Sequence, residues 1–316
     1  MEYVRGSDQL KAPPFRAAVT IGNFDGLHVG HRAILDTVVE RARSLGGQAV
    51  VFTFEPHPRK VLQPDRAPRL LTTLEQRLEL IEQCGIDLVV LEPFTEEFAK
   101  TSPQVFVRDI IHARMRPVEV YVGYDFHFGR EREGSMQLLT EMGPRLGFSV
   151  TIIPEITVDE GDVNSTRIRE MLTVGRVEEV FAMLGRSYTV RGRIVEGDRR
   201  GRQIGFPTAN IEPENEILPS AGVYSGRLRF LDDGSPAAGS EWLAVTNVGV
   251  RPTFGDEKRR VAEAHILDFD GDVYGRRIEI SFAHTLRRER RFSGVDALRE
   301  QIAKDVDEAR RRLEAL

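Results

Sequence analysis

Short, almost unbroken apolar runs alternate with amphipathic stretches through the first half of the chain. The runs are Ala17–Ile21, Gln48–Phe54, Asp87–Leu91, Val118–Val122 and Phe148–Ile153, each the length of a buried strand. Between them, apolar residues recur at helical spacing over Arg32–Val39, Leu74–Cys84 and Leu138–Leu146. Phe94–Met115 reads as mostly helical, with Thr101-Ser102-Pro103 as a helix start. Strand, helix, strand in this order predicts a parallel α/β sheet with right-handed crossovers. From Tyr188 the period drops to two. Alternating runs at Tyr188–Val195, Val223–Phe230, Glu241–Val248, Ala262–Phe269 and Arg277–Phe282, with Gly and Asp turns between them, predict an all-β antiparallel barrel or sandwich. Asp296–Leu316 reads as a charged amphipathic helix against it. Thr173–Arg186 is a short helix flanked by glycines, and the pattern changes after it, so the expected domains are 1–186 and 187–316.

Composition adds exclusions. With 316 residues, two domains are the natural prior, and 41% hydrophobic with 29% charged residues suits a soluble protein with sizeable cores. A net charge of −5 argues against nucleic acid or membrane held by bulk electrostatics, but leaves room for a local phosphate site. The single cysteine, Cys84, excludes an intramolecular disulfide, and its neighbours Leu80, Ile81 and Ile86 make it a small buried hydrophobe. The opening MEYVRGSDQLKAPP lacks the apolar core of a signal peptide, and no run reaches membrane-spanning length. The expectation is a cytoplasmic enzyme.

Candidate chemistry concentrates where runs end. After Ala17–Ile21 come Gly22, Asn23, Phe24, Asp25 and Gly26, then His28-Val29-Gly30-His31 at the opening of a helix. A helix N-terminus presents free N–H groups and a positive dipole end to an anion. Gly30 admits a phosphate close to the backbone, and the imidazoles can donate to phosphoryl oxygens as charge builds. No cysteine cluster is nearby to make this a metal site. His57, after the second run, either caps a loop between prolines or reaches the same crevice, because ligands in such sheets bind beyond the carboxyl ends of strands. Asp125, after the fourth run, either caps its turn or meets a ligand. In Asn164-Ser165-Thr166-Arg167-Ile168-Arg169 any of the first three residues can cap a helix. Two arginines in a first turn are unfavourable unless an anion sits there. In the second half, Gly197–Asn210 carries three glycines and three arginines, a loop able to cradle phosphates. It is not a Walker loop, and Thr208 and Asn210 serve either a turn or a site.

GNFDGLHVGH resembles the signature of the HxGH nucleotidyltransferases, and its G-x-F-D-G-x-H portion resembles the bacterial bifunctional riboflavin kinase/FAD synthetase family. The resemblance extends through F-x-P-H-P at His57, G-x-D-F-x-F-G at Asp125 and I-S-S-T-x-x-R at Ser165, Thr166 and Arg169, where Asn164 replaces the first serine. It continues through P-T-A-N at Pro207–Asn210, N-V-G-x-R-P-T-F at Asn247–Phe254, E-x-H-I-x-D-F at Glu263–Phe269 and L-R-x-E-x-x-F at Leu286–Phe292.

The family implies an N-terminal Rossmann-like FMN adenylyltransferase domain and a C-terminal β-barrel riboflavin kinase domain with a terminal helix. It further implies riboflavin, FMN and FAD as substrates and products, ATP as co-substrate, and Mg²⁺. ATP in the adenylyltransferase would meet Gly22, Asn23, Phe24, Asp25, His28, Gly30, His31, His57, Asp125, Ser165, Thr166 and Arg169, with His28 and His31 stabilising phosphate charge. In the kinase, Gly201, Arg202, Gly205, Phe206, Pro207, Thr208 and Asn210 would bind ATP. Metal contacts would come from Thr208, Asn210 and Asp125. Glu263 is the implied base for the flavin hydroxyl, its bland alternative being an exposed strand glutamate. Arg287 and Arg290 are either nucleotide or flavin contacts, the latter being the assignment, or a solvated charge run. His265 reads as structural. Rival readings are a nucleotidyltransferase for another substrate with an accessory barrel, and a flavin-binding sensor without chemistry.

Overall fold

The computed structural model describes residues 1–158, 161–197, 204–232, 240–252 and 258–314, with backbone alone at 250–252 and 258–259. The chain forms two compact units, one of Met1–Arg69 with Leu74–Val163, the other of Leu70–Thr73 with Asn164–Leu316.

The first unit is a six-stranded sheet of β1 (Glu2–Arg5), β2 (Ala18–Ile21), β3 (Ala49–Glu55), β4 (Leu88–Pro93), β5 (Glu119–Gly123) and β6 (Ser149–Ile153), in the order β1-β4-β3-β2-β5-β6. Every pairing is parallel. Successive residues of the central strands fall into two apolar clusters: Val19, Val50, Phe52, Val90 and Val120 in one, Ala18, Val51, Val89 and Tyr121 in the other. The sheet is therefore covered on both faces, which is why its strands read as unbroken apolar runs. Helix α1 (Val29–Leu45) covers one face through Leu35, Val38 and Ala42, joined by Ile81 of α2 (Leu74–Gln83). Helices α3 (Phe106–Met115) and α4 (Met136–Leu146) cover the other through Ile111, Met115 and Leu139. From β2 the chain builds outward to β3 and β4 on one side, then to β5 and β6 on the other. That reversal is the topological switch point where such sheets bind ligands.

The second unit closes β9 (Tyr188–Val195), β10 (Ala209–Pro213), β11 (Gly222–Phe230), β12 (Glu241–Pro252), β13 (Lys258–Ile266) and β14 (Arg277–Phe282) into an antiparallel ring, because β11 pairs with both β12 and β14. (β7, Thr157–Val158, and β8, Gly161–Asp162, form a separate small ribbon.) Strand β15 (His284–Arg288) leaves the ring and pairs with the first residues of β11. The barrel resolves the expected choice between barrel and sandwich. Its core takes Val190, Ile211, Leu228, Ala244, Ala264, Ile278 and Ile280, with strict alternation along β14 and runs of consecutive buried residues in β9 and β11.

Two helices precede the barrel in this unit, α5 (Ser165–Val174) and α6 (Val177–Leu184). Thr285 Oγ1 donates to Gly175 O at 2.8 Å, and Thr285 N donates to Glu178 at 2.7 Å. The terminal helix α7 (Val295–Leu313) packs Val306 and Ala309 on Val223, Val245 and Leu267.

Several elements differ from expectation. The helical stretch before β5 is divided into Glu96–Ala99, Pro103–Val105 and a π-wound α3. Strand β13 stops at Ile266, short of the expected Phe269, because Asp268 takes a left-handed conformation at φ 56°. There, Arg310 of α7 grips it at 2.7 and 2.8 Å.

Candidate active sites

In the first unit the chain leaves β2 through a turn whose conformation is costly: Phe24 at φ 51° and Leu27 at φ 39° lie in the left-handed region. Burial holds it, since Phe24, Asp25 and Leu27 are each at most 3% exposed. His28 then caps α1, its Nδ1 accepting the His31 N–H at 3.2 Å. The two imidazoles stack at 3.6 Å between centroids, and Phe24 meets His31 edge-on. A side-chain carbon on Gly30 would sit 3.1 Å from His28 Nδ1. The missing Cβ thus makes room for that imidazole as well as leaving the helix end open.

Burial, reinforced by the neighbouring His28, holds the His31 pKa well below the ordinary imidazole range. At neutral pH His31 is therefore an uncharged hydrogen-bonding group. Two polar atoms in this turn, His31 Nδ1 and Asn23 Oδ1, are buried without a hydrogen-bond partner, which is costly unless a ligand supplies one.

His57 and Asp125, also in the first unit, follow the ends of β3 and β5, the strands that flank β2, whereas Ser165, Thr166 and Arg169 belong to the second unit. His57 follows β3, is 7% exposed, and caps Pro58–Leu62 by accepting the Arg59 N–H at 3.2 Å. Asp125 follows β5, with an exposed carboxylate and its carbonyl bonded to His127 Nδ1 at 2.9 Å. Ser165, Thr166 and Arg169 stand in the first turns of α5, which Asn164 caps by accepting the Arg167 N–H at 2.9 Å. The residue that departs from the motif performs the capping.

In the barrel, register assembles the site. Asn210 pairs with Glu263, and Glu263 on its other side pairs with Asn247, so three polar residues form one row across β10, β13 and β12. All three are half-buried, whereas Ala209, Ala262 and Ala264 beside them point into the core. A side-chain carbon on Gly197 would lie 2.0 Å from the Asn210 amide nitrogen, so Gly197 gives that amide its place. His265 Nδ1 donates to Pro207 O at 2.7 Å, and its ring meets Phe206 edge-on. This pins the loop next to Thr208. Gly205 takes a φ of 86° just before. Gly201 and Arg202 lie outside the described residues, as do Thr253 to Gly255.

Arg287 is held by Asp305, which is 4% exposed, with Nε at 2.9 Å and Nη2 at 2.8 Å from the carboxylate. Gln301 bonds the same carboxylate at 2.7 Å and also accepts from Arg290. Both guanidiniums lie on the Phe292 ring. Arg287, Gln301 and Asp305, with Leu286, Lys304 and Arg311, border a cavity of about 370 Å³. Asp305→Ala strands a mostly buried guanidinium. It should destabilise this unit by about 2–3 kcal/mol, the lower side of the cost of breaking a buried pair, read from the denaturant midpoint.

Two family descriptions match successive parts of the chain: FAD synthetase matches residues 11–167, and riboflavin kinase matches residues 184–313. The bifunctional riboflavin kinase/FMN adenylyltransferase of Escherichia coli K12 is 36% identical over 311 residues, covering 98% of this chain and 97% of the relative. The chain belongs to this bifunctional family. The protein of that name from Listeria monocytogenes is 36% identical over 92% of this chain and 91% of its own. A solved structure titled a macrolide-efflux protein, from Streptococcus pneumoniae, superposes with a TM-score of 0.86 at 26% identity, covering 98% of this chain and 99% of that one. Among the described residues no helix is long and apolar enough to cross a membrane.

The FAD synthetase and riboflavin kinase regions also contain residues that the sequence did not single out. Asn247 stands out in the sequence only as part of its motif, and it is strand register that aligns it with Glu263. Asp305 and Arg77 read as solvent-facing charges on amphipathic helices, yet both are buried.

Proposed function

We propose that the two reactions of this family are divided between the units, the barrel phosphorylating riboflavin and the parallel-sheet unit adenylylating FMN. One observation supports the division: the buried, unpartnered atoms of Asn23 and His31 belong to one compact unit, and the Asn210–Glu263–Asn247 row to the other.

In the barrel, the Glu263 carboxylate orients the terminal hydroxyl of riboflavin and takes its proton as the oxygen attacks the γ-phosphorus of ATP. FMN forms and ADP leaves. Thr208 and Asn210 offer neutral oxygens beside that carboxylate, a donor set that suits Mg²⁺ sharing its shell with phosphate and water. They are the residues that would hold the metal, and when bound it would neutralise phosphate charge. Gly201, Arg202, Gly205, Phe206 and Pro207 complete the nucleotide loop in this reading. Arg290 and Phe292 border the flavin, with Arg287 holding that wall through Asp305.

In the parallel-sheet unit, a phosphate oxygen of FMN attacks the α-phosphorus of ATP and pyrophosphate leaves, so no covalent nucleophile on the protein is needed. His28, His31 and the N-terminus of α1 receive the phosphate charge that develops. Gly22, Asn23, Phe24, Asp25 and Gly30 shape this end of the site, and His57 and Asp125 face it from neighbouring strand ends. Asp125 is the metal-contact candidate there. Ser165, Thr166 and Arg169 enter the proposal on their motif. The expected location is the cytoplasm.

Incubation with riboflavin, ATP and Mg²⁺, with flavins separated over time, should give FMN first and FAD after it. FMN alone would mean a transferase of another specificity. Neither product would favour a flavin-binding protein without chemistry.

A further inference from the structure

Arg77 lies on α2, outside every motif, and is 3% exposed. Its guanidinium reaches two strand ends at once. Nη1 donates to Asn23 O at 3.2 Å, in the turn after β2. Nη2 donates to Phe54 O at 3.3 Å and to Glu55 Oε2 at 2.5 Å, where β3 passes into the segment that carries His57. Asn23 O also accepts from Thr53 Oγ1 at 3.4 Å, so the turn is tied to β3 twice.

The turn needs such a tie. It contains two residues in left-handed backbone and a buried amide whose oxygen has no protein partner. Strained backbone of this kind persists only where surrounding structure over-determines it. A planar guanidinium with donors in a fixed fork can hold two carbonyls and a carboxylate together, and a lysine cannot.

We propose that Arg77 is a positioning residue for adenylyl transfer, fixing the Asn23 turn and the Glu55–His57 segment at one spacing so that both meet the nucleotide together. It touches no substrate and acts through the backbone of the residues that do. The proposal rests on the reading of these two loops as the ATP site.

The test is steady-state kinetics on full-length Arg77→Lys, which keeps the charge and the Glu55 pair but loses the fork. FAD formation from supplied FMN should fall at least about tenfold in kcat/KM, with the KM for ATP raised several-fold, because a misplaced positioning contact costs on this scale. Riboflavin phosphorylation by the same preparation should stay within twofold. Wild-type ATP KM, with kcat falling only in step with the folded fraction measured by thermal melting, would mean a purely structural role and overturn the proposal. FAD formation within twofold of wild type would overturn it too. His31→Ala runs alongside: if it leaves FAD formation intact, the site reading itself fails. If it abolishes FAD formation while Arg77→Lys does not, only the positioning role fails.

Discussion

Glu263→Gln should lower riboflavin phosphorylation by about 10²–10⁴-fold, the usual contribution of a positioned general base, while supplied FMN is still converted to FAD. The substitution keeps size and hydrogen-bonding reach, and it leaves the β10–β13–β12 row in register between Asn210 and Asn247. What it removes is the capacity to accept the hydroxyl proton. Flanking half-buried amides make the site tolerant of a third amide, so a folding defect is not the expected cause. The measurement is FMN appearance from riboflavin and ATP, with FAD appearance from FMN in a parallel reaction. Near wild-type phosphorylation would remove Glu263 from the mechanism.

The second large effect is expected at His28. His28→Ala should lower FAD formation by about 10²–10³-fold, as for loss of one donor to a developing oxyanion, with FMN formation spared. Alanine also deletes the Nδ1 cap on the His31 N–H, a loss of about 1 kcal/mol in helix stability. His28→Asn separates the two, because asparagine is among the best N-caps but carries no imidazole. If His28→Asn restores FAD formation, the ring acts only as a cap. If it restores the melting temperature without the activity, the imidazole belongs to the chemistry. Equal loss of both products in either variant would argue against separate sites.

The His28 turn was legible because every residue of GNFDGLHVGH is locally constrained: a buried strand before it, positive-φ glycine within it, a helix start after it. The same holds for the barrel strands with clean alternation, such as Arg277–Phe282. What was missed depends on distant partners. Glu2–Arg5 is short and largely exposed, and becomes a strand only through its parallel pairing with Leu88–Leu91. Ala209–Pro213 and His284–Arg288 likewise owe their strand form to neighbours in the barrel. Arg77 shows the limit most sharply, since a charge on an amphipathic helix reads as solvent-facing until two strand ends close around it. The π winding of Phe106–Met115 has no marker in its residues.

The closed ring has a bearing on how the protein comes to harm. A sheet edge exposes unpaired N–H and C=O groups that can recruit a foreign strand and seed aggregation. The barrel joins its outermost strands to each other, and β15, which departs from the ring, has its Thr285 N–H taken by Glu178. The parallel sheet keeps two open borders, β1 and β6. One is four residues long and bears Glu2 and Arg5 at its ends, charges that discourage docking. The other, from Ser149 to Ile153, carries no charge and exposes Ile152. Under heat or crowding, clumping of this protein should begin at that border.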